Sequence, residues 1–512
     1  MANSKYEYVK SFEEEDEIML PNLIVVRIEG NDFRRFSDDH KFERPNDEKA
    51  LDLMNSCAAA VLEEYPDIVF SYGFMDEYSF VLKKKSKFYN RRASKILSVV
   101  VSLFTSVYVT KWKDHFPQME LKLAPSFQSR IITCASMEVL QAYLVWRQNN
   151  CHVQNQYNTC LWMLIKSGKN EREAEEVLKG TGKQEKNELL FKQFGINYKK
   201  RPPMFRQGSC ILRRVKRLTT EVEDVVVFSG NIASRSFWGE HPFLMTELGG
   251  FEEDINKVKP EYLKSFVFER KLMPSTWIVV RIDGRHFHGF SEVHEFEKPN
   301  DGQALNLMNS CAVAVIEEFQ DVVFSYGVSD EFSFVLKKDS QFHERHASGI
   351  VSVIVSFFSS KYVMNWKDFF PQKELKKPPS FDGRAVCYPS TEILRDYLAW
   401  RQVDCHINNQ YNTCFWMLVK SGKSKSEAQD YLQGTRAQEK NELLALQFGI
   451  DYQTLPVMFR QGSSVFWDKE DPTKIYNDER EGKCRKKVVV EHCNIIQQSF
   501  WKAHPSILDE KY

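Results

Sequence analysis

Four things are missing from this sequence, and each absence removes a class of protein. There is no excess of charge: Lys and Arg total 70, Asp and Glu also 70, for a net charge of zero. Bulk electrostatics therefore announces no nucleic-acid partner, and any such site must be a local patch. No apolar run reads as long enough to span a bilayer, so no membrane partner is expected. The opening, MANSKYEYVKSFEEEDE, is polar and acidic, unlike a secretory signal. The eleven cysteines include no CxxC pair, and Cys57, Cys160, Cys311 and Cys414 sit in apolar helical patterns. The expectation is reduced core thiols in an intracellular protein, against a disulfide frame or a zinc site. What is present, 42% hydrophobic and 27% charged residues over 512 positions, is the balance of a globular chain with room for two cores.

The dominant positive feature is self-similarity. KYEYVKSF at Lys5–Phe12 recurs as KPEYLKSF at Lys259–Phe266. At the same spacing Ile24–Gly30 recurs as Ile278–Gly284, SYGFMDEYSFVLKK from Ser71 as SYGVSDEFSFVLKK from Ser325, and WRQNNCHVQNQYNTC from Trp146 as WRQVDCHINNQYNTC from Trp400. A repeat this long is a duplicated domain, not a solenoid unit. Near the end the register slips, Phe237-Trp238 matching Phe500-Trp501, so copy one is shorter there. The expected layout is copy one over 1–242, a linker over 243–258 containing Gly249-Gly250 and an acidic stretch, and copy two over 259–512.

Each copy reads as α/β. In copy two, Trp277–Ile282 is a short β-branched strand. A helix follows over Asn300–Phe319, with Asn300 or Asp301 as cap and Met308, Cys311, Ala312, Val315, Ile316 and Phe319 at helical spacing. Strands over Asp321–Tyr326 and Glu331–Lys337 flank a tight turn, and a long helix runs from about His346 to Lys367. This β-α-β-β-α order opens a split-βαβ, ferredoxin-like domain. The second half reads as helical, with candidates at Thr391–Gln402, His406–Ser421 and Lys425–Phe448.

This topology places strands 1 and 3 side by side, so Asp283 at the end of the first would meet Asp330 and Glu331 at the hairpin tip. Such a carboxylate pair, with the Gly284 carbonyl, suits Mg²⁺, which takes oxygen ligands and relies on one or two carboxylates plus substrate phosphates. A hairpin with solvated acids is the competing reading. His406 and Asn409 share one helix face, with Asn408 and Asn412 on a neighbouring face. They form either a ligand-facing or a structural polar network. Lys298 and Arg460 each suit phosphate or RNA backbone, or are ordinary surface cations.

On these residues copy two resembles the tRNA-His guanylyltransferase family over nearly its whole length. The segments that carry the resemblance are VVRIDGRHFHGF (279–290), EKPND (297–301), YGVSDEFSF (326–334), HINNQYNT (406–413), QEKNELL (438–444), PVMFRQG (456–462) and FWKAHPSILDE (500–510). The resemblance implies a palm fold like that of 5′→3′ polymerases, run in reverse. ATP would activate the 5′-monophosphate of tRNA-His and the 3′-hydroxyl of GTP would attack it. Pyrophosphate would then be removed, leaving an added G at position −1. It also implies two Mg²⁺ ions on Asp283, Asp330 and the Gly284 carbonyl, with Glu331 supporting them. Arg285, His286, Phe287, His288 and Ser329 would contact nucleotide. Lys298, which would also border the nucleotide, His406, Asn409, Asn412, Lys440 and Arg460 would serve the activated 5′ end or the tRNA.

Copy one resembles the same family with decayed motifs. Its corresponding metal residues are Glu29, Gly30 and Asp76. Glu29 stands where the family has Asp, and one extra methylene displaces the carboxylate by about 1.5 Å, one bond length, against the strict geometry of Mg²⁺. Met75 replaces Ser329, and HVQNQYNT replaces HINNQYNT. Copy two departs elsewhere, with RHASG at Arg345–Gly349 where copy one keeps RRASK at Arg91–Lys95. Copy one also carries the basic run Lys83, Lys84, Lys85, Lys87, Arg91, Arg92 and Lys95, with Phe88 and Tyr89 inside it. That run suits phosphate-backbone binding or is a solvated loop. The expected division is chemistry in copy two, RNA binding in copy one, the two forming a pseudo-dimer in a homo-oligomer. The competing functions are a non-catalytic RNA-binding protein on the same fold, a broader templated 5′-end repair polymerase, and a nucleotide cyclase disfavoured by HINNQYNT and FRQG. The basic cluster Cys484–Lys487 leaves nucleus or cytoplasm open.

Overall fold

The computed structural model describes residues 4–215, 222–250, 266–469 and 486–508. Cys484 and Arg485 of the basic cluster, residues 251–258 of the expected linker and most of KPEYLKSF lie outside the described residues. The chain forms two compact units, one of Asp16–Arg270 and one of Met1–Glu15 with Lys271–Tyr512.

The copy-one unit holds β1 (Leu23–Gly30), β2 (Ile68–Phe74), β3 (Glu77–Leu82), β4 (Phe127–Cys134), β5 (Ser209–Val215), β6 (Val222–Phe228) and β7 (Val267–Phe268), in sheet order β6-β5-β2-β3-β1-β4-β7. The copy-two unit holds β8 (Trp277–Gly284), β9 (Val322–Val328), β10 (Glu331–Leu336), β11 (Phe381–Tyr388), β12 (Ser463–Lys469) and β13 (Lys486–Glu491), in order β11-β8-β10-β9-β12-β13. All the pairings are antiparallel. The first four strands of each copy thus take the 4-1-3-2 order of the expected split-βαβ domain. β8 is apolar without alternation, Trp277 to Val280 and Ile282 all being buried, because both faces of its sheet are covered. Val279 packs with Leu394 and Tyr397 of the helix Thr391–Lys420, while Gly383 on β11 lies against Val351 and Val355 of the helix Ala347–Met364.

Asp301 caps the helix Gly302–Glu318, its carboxylate accepting from the Gln303 and Ala304 amides. The two helices expected across 391–421 are one, because nothing at Val403–Cys405 breaks it and Arg401 pairs with Asp404 at 2.9 Å across the junction. The helix expected over Lys425–Phe448 is two, Lys425–Leu432 and Ala437–Phe448. Gly434 takes a left-handed conformation (φ 76°), and Glu439 accepts from the Arg436 amide to start the second.

The helix Ala93–His115 and its copy-two counterpart Ala347–Met364 are, by length and hydropathy, long enough to cross a membrane, which the reading of the sequence did not anticipate. Their most apolar windows are 78% buried inside the protein; they are core helices between sheet and neighbouring helix. Ten cysteines are described, none in a disulfide and eight buried.

The stretch from Phe243 offered as a linker opens with the helix Pro242–Leu248, whose Leu244 and Leu248 are buried in the copy-one core. The chain instead passes between units after Glu15 and after Arg270. Residues Glu7–Phe12 form a short 3₁₀ turn on the copy-two core, where Val9 is fully buried among Val279 and Tyr388 and the Tyr8 hydroxyl donates to Asp396 at 2.6 Å. Val267 and Phe268 in turn extend the copy-one sheet at β4. Apolar periodicity does not say on which core a short arm settles.

Candidate active site

β10 sets Glu331 opposite Asp283, and β11 sets Asp382 opposite Asp283 from the other side. Three carboxylates therefore line up across neighbouring strands, with Arg281 and Arg384 two residues away on the same face. Asp330 sits in the turn before β10, where the Gly284 amide donates to its carbonyl at 3.0 Å. A Cβ on Gly284 would stand 2.8 Å from the Asp330 carboxylate and 2.5 Å from the Phe287 ring. Only glycine fits there.

Burial, and then the charges of Asp330, Glu331 and Asp382, push the Asp283 carboxyl up to about 7. Burial pushes Asp330 up to about 6 against a hydrogen bond from the Ser329 hydroxyl. Among the described residues Asp283 forms no salt bridge, although the charge of Arg281 acts to lower its carboxyl. Glu331 behaves differently. Its two oxygens accept from Arg401 at 2.6 and 3.0 Å, in the buried core beneath the site. It positions Arg401 and is not a spare ligand.

A cavity of about 450 Å³ opens beside Asp330. Of the residues singled out from sequence, Phe287, His288, Lys298, Ser329, Asp330, Asn409 and Asn412 line it; Asn408 does also. Lys298 donates to Ser291 at 2.6 Å with its ammonium 5.7 Å from the Trp416 ring centre, and burial lowers its pKa. Asn412 is exposed to the cavity. Asn409 is spent internally, donating to Asn300 at 2.9 Å and accepting from the Tyr452 hydroxyl at 3.1 Å; it joins the long helix to the loop that starts the helix Gly302–Glu318. Asp283, Gly284, Arg285, His286, His406, Lys440 and Arg460 do not line the cavity. Lys440 closes the preceding turn on the Thr435 carbonyl at 2.6 Å. Arg460 donates to the Leu455 carbonyl at 2.8 Å. His406 is exposed against Tyr452, its pKa lowered by burial of the ring and by Arg460.

Copy one has the same frame and different electrostatics. Glu29 is taken up by Arg27 and Gln128, with Arg130 3.8 Å away, and Gln128 occupies the place of Asp382. Asp76 is buried and raised to about 6. The basic run is not the open patch expected. Arg91 is buried, donating to the carbonyls of Ile18, Asn22 and Ser86, and Arg345 does the same work in copy two. Arg92 pairs with Asp16 at 3.4 Å and Lys83 with Glu247 at 3.8 Å. Lys84 packs over Gly249 and Lys95 over the Tyr89 ring. Lys85 and Lys87 are the exposed members.

A family model described as tRNAHis guanylyltransferase matches residues 6–135 and again 260–389, and one described as Thg1 C terminal domain matches 138–242 and 392–497. The chain belongs to the tRNA-His guanylyltransferase family. tRNA(His) guanylyltransferase 1 of Arabidopsis thaliana is 64% identical over 99% of this chain and 91% of that protein. tRNA(His) guanylyltransferase 2 of the same plant is 63% identical over 99% of both. The crystal structure of the Saccharomyces cerevisiae tRNA(His) guanylyltransferase is similar at 44% identity over 41% of this chain and 93% of that one, with a TM-score of 0.39.

Within this guanylyltransferase frame, Asp382, Arg401, Arg281 and Glu13 were missed from sequence. Arg281 was within reach, since strand alternation puts residues two apart on one face; Asp382 comes from the unanticipated strand β11. Arg401 and Glu13 depend on which helix and which arm cover that face.

The raised carboxyls have a stability consequence. A folded-state pKa above the unfolded value means the folded protein binds more protons between the two, so stability falls as pH rises from about 4 to about 7. Asp283→Asn is expected to raise the unfolding free energy at pH 7.5 by on the order of 1–2 kcal/mol, discounted for partial exposure, with the gain shrinking toward pH 4. Calorimetry at the two pH values checks it. An unchanged or lowered Tm at pH 7.5 would show that the folded protein already compensates this charge.

Proposed function

We propose that this chain adds GMP to the 5′ end of tRNA-His, and that the chemistry resides in copy two. The observation that carries the assignment is the contrast between the two sites: Asp283 has no salt bridge among the described residues and stands by Asp330, which lines an open cavity, whereas Glu29 is consumed by Arg27 and Gln128. Asp283, Asp330 and the Gly284 carbonyl fit Mg²⁺: the donors are hard oxygens brought together at one sheet edge, where the charges of Asp330, Glu331 and Asp382 act on Asp283. Bound there, the ion would supply charge stabilisation at the reacting phosphate.

The chain's own residues define the rest. Lys298, seated on Ser291 at the cavity wall, supplies a fixed positive charge for nucleotide or 5′-end phosphates. Ser329 lines the cavity next to Asp330, where its hydroxyl can meet nucleotide. ATP would activate the 5′ end and GTP would be the donor. The test is incubation of the full chain with tRNA-His transcript, ATP, labelled GTP and Mg²⁺, with a tRNA of another anticodon as control. Label on both tRNAs would favour a broader 5′-end polymerase; label on neither would refute the assignment.

Copy one's contribution to tRNA binding is narrowed to Lys85 and Lys87. Replacing both with Ala is expected to reduce the salt slope of tRNA binding by roughly one unit or slightly less per contact, with nucleotide binding unchanged. Equal slopes for variant and parent would leave them as solvated lysines.

A further inference from the structure

Glu13 belongs by sequence to copy one and by packing to the copy-two unit. The neighbouring Phe12 rests on Tyr388, ring centres 5.6 Å apart. The Glu13 carboxylate accepts from Arg384 and lies 3.9 Å from the Arg281 guanidinium. Those two arginines face each other in the β8–β11 register, two pairs along from Asp283 and Asp382 and so on the same face. Neither is a solvated cation, their side chains being 17% and 16% exposed. Each has a strong reason to find a carboxylate.

Copy one shows what the equivalent arginines do when the arm has no acid at the Glu13 position. The residue at the Glu13 position there is Val267, engaged in the ladder with Ile132. Arg27 keeps a partner equivalent to Glu331, pairing with Glu77 at 2.6 Å, and also takes up Glu29, whose carboxylate Arg130 approaches at 3.8 Å. The acid at the Asp283 position is thereby closed off.

We propose that Glu13 is a positioning residue of the copy-two site: it holds Arg281 and Arg384 off Asp283 and so keeps that carboxylate open to a divalent cation. The inference rests on the reading of Asp283 as a metal ligand. A guanidinium and a metal ion compete for the same oxygens, and an acid supplied from outside the sheet removes the competitor without adding a ligand. The arm of the first copy is in this sense part of the second copy's active site.

The test is Mn²⁺ binding to the full chain, followed by electron paramagnetic resonance, with Asp283→Ala defining the specific site. Glu13→Gln is expected to raise the Mn²⁺ dissociation constant of that site by about tenfold, as for other groups that orient a metal ligand. Glu13→Asp should recover part of the loss, and Glu13→Gln with Arg384→Ala should return toward the parent because one competing guanidinium is gone. Arg384→Ala alone should bind Mn²⁺ no more weakly than the parent, which keeps the test alive if the Glu13→Gln chain fails to fold. Parental affinity in folded Glu13→Gln, no relief from Arg384→Ala in the double variant, or weaker binding by Arg384→Ala alone overturns the positioning role. A parent chain with no Asp283-dependent Mn²⁺ site overturns the metal reading, and this inference with it.

Discussion

Asp330→Ala lowers GMP addition to tRNA-His by the full chain by roughly three orders of magnitude, as follows from losing several kcal/mol of charge stabilisation at the reacting phosphate. Asp76→Ala, the same change in copy one, leaves the rate within about a factor of two to three, a ΔΔG‡ under 1 kcal/mol. The two aspartates share turn position, burial and a raised pKa of about 6, so an intrinsic property of the residue cannot distinguish them. Their partners do. Asp330 stands beside an Asp283 that has no salt bridge among the described residues, and it borders the cavity with Lys298 and Ser329. Asp76 stands beside a Glu29 tied to Arg27 and Gln128. Single-turnover assays with labelled GTP measure both variants. Equal losses would mean that both copies act in the reaction and that the ion pairs around Glu29 open on binding substrate.

Arg401→Met destabilises the chain by about 3 kcal/mol, because removing one partner of a buried pair leaves the other as an uncompensated charge. Arg401 and Glu331 are 7% and 13% exposed and meet through both carboxylate oxygens. The residual Arg281 contact to Glu331, at 3.9 Å, keeps the cost at the lower end of the range for such pairs. Glu331→Gln combined with Arg401→Met should recover most of the loss, since a double replacement buries no net charge. Urea unfolding at fixed pH reads all three. The same pair exists in copy one as Arg147 and Glu77, 2.7 Å apart at its longer contact. A feature retained where the carboxylate site is closed belongs to the fold, which is why Glu331 is assigned to positioning. If Arg401→Met were as stable as the parent yet inactive, Glu331 and Arg401 would have to act on substrate directly.

The duplication, the class of fold, the adjacency of strands 1 and 3 and the meeting of Asp283 with Asp330 and Glu331 were legible in the sequence, whereas the strand Phe381–Tyr388 was not. Each rests on local patterns, because period-2 and period-3.6 apolar spacing with turn residues specifies β-α-β-β-α, and that order admits few sheets. Gly284 entered from the sequence through its carbonyl, and the structure adds why it is glycine: a Cβ there would meet Asp330 and Phe287.

What the sequence could not decide was which like-looking charges are spent. Arg91 sits among six other cations in the chain and is buried on three carbonyls, while Lys85 and Lys87 beside it are exposed. Asn409 and Asn412 lie three residues apart on one helix; the first is satisfied by Asn300 and Tyr452, the second faces the cavity. Residue type and spacing determine where a charge or amide lies along the chain. Only the folded arrangement determines the partner, because the partner comes from a distant strand, helix or arm. Glu13 is the extreme case: it lies 270 positions before Asp283 in the sequence, and burial of Val9 beneath it places it on the sheet face that Asp283 shares.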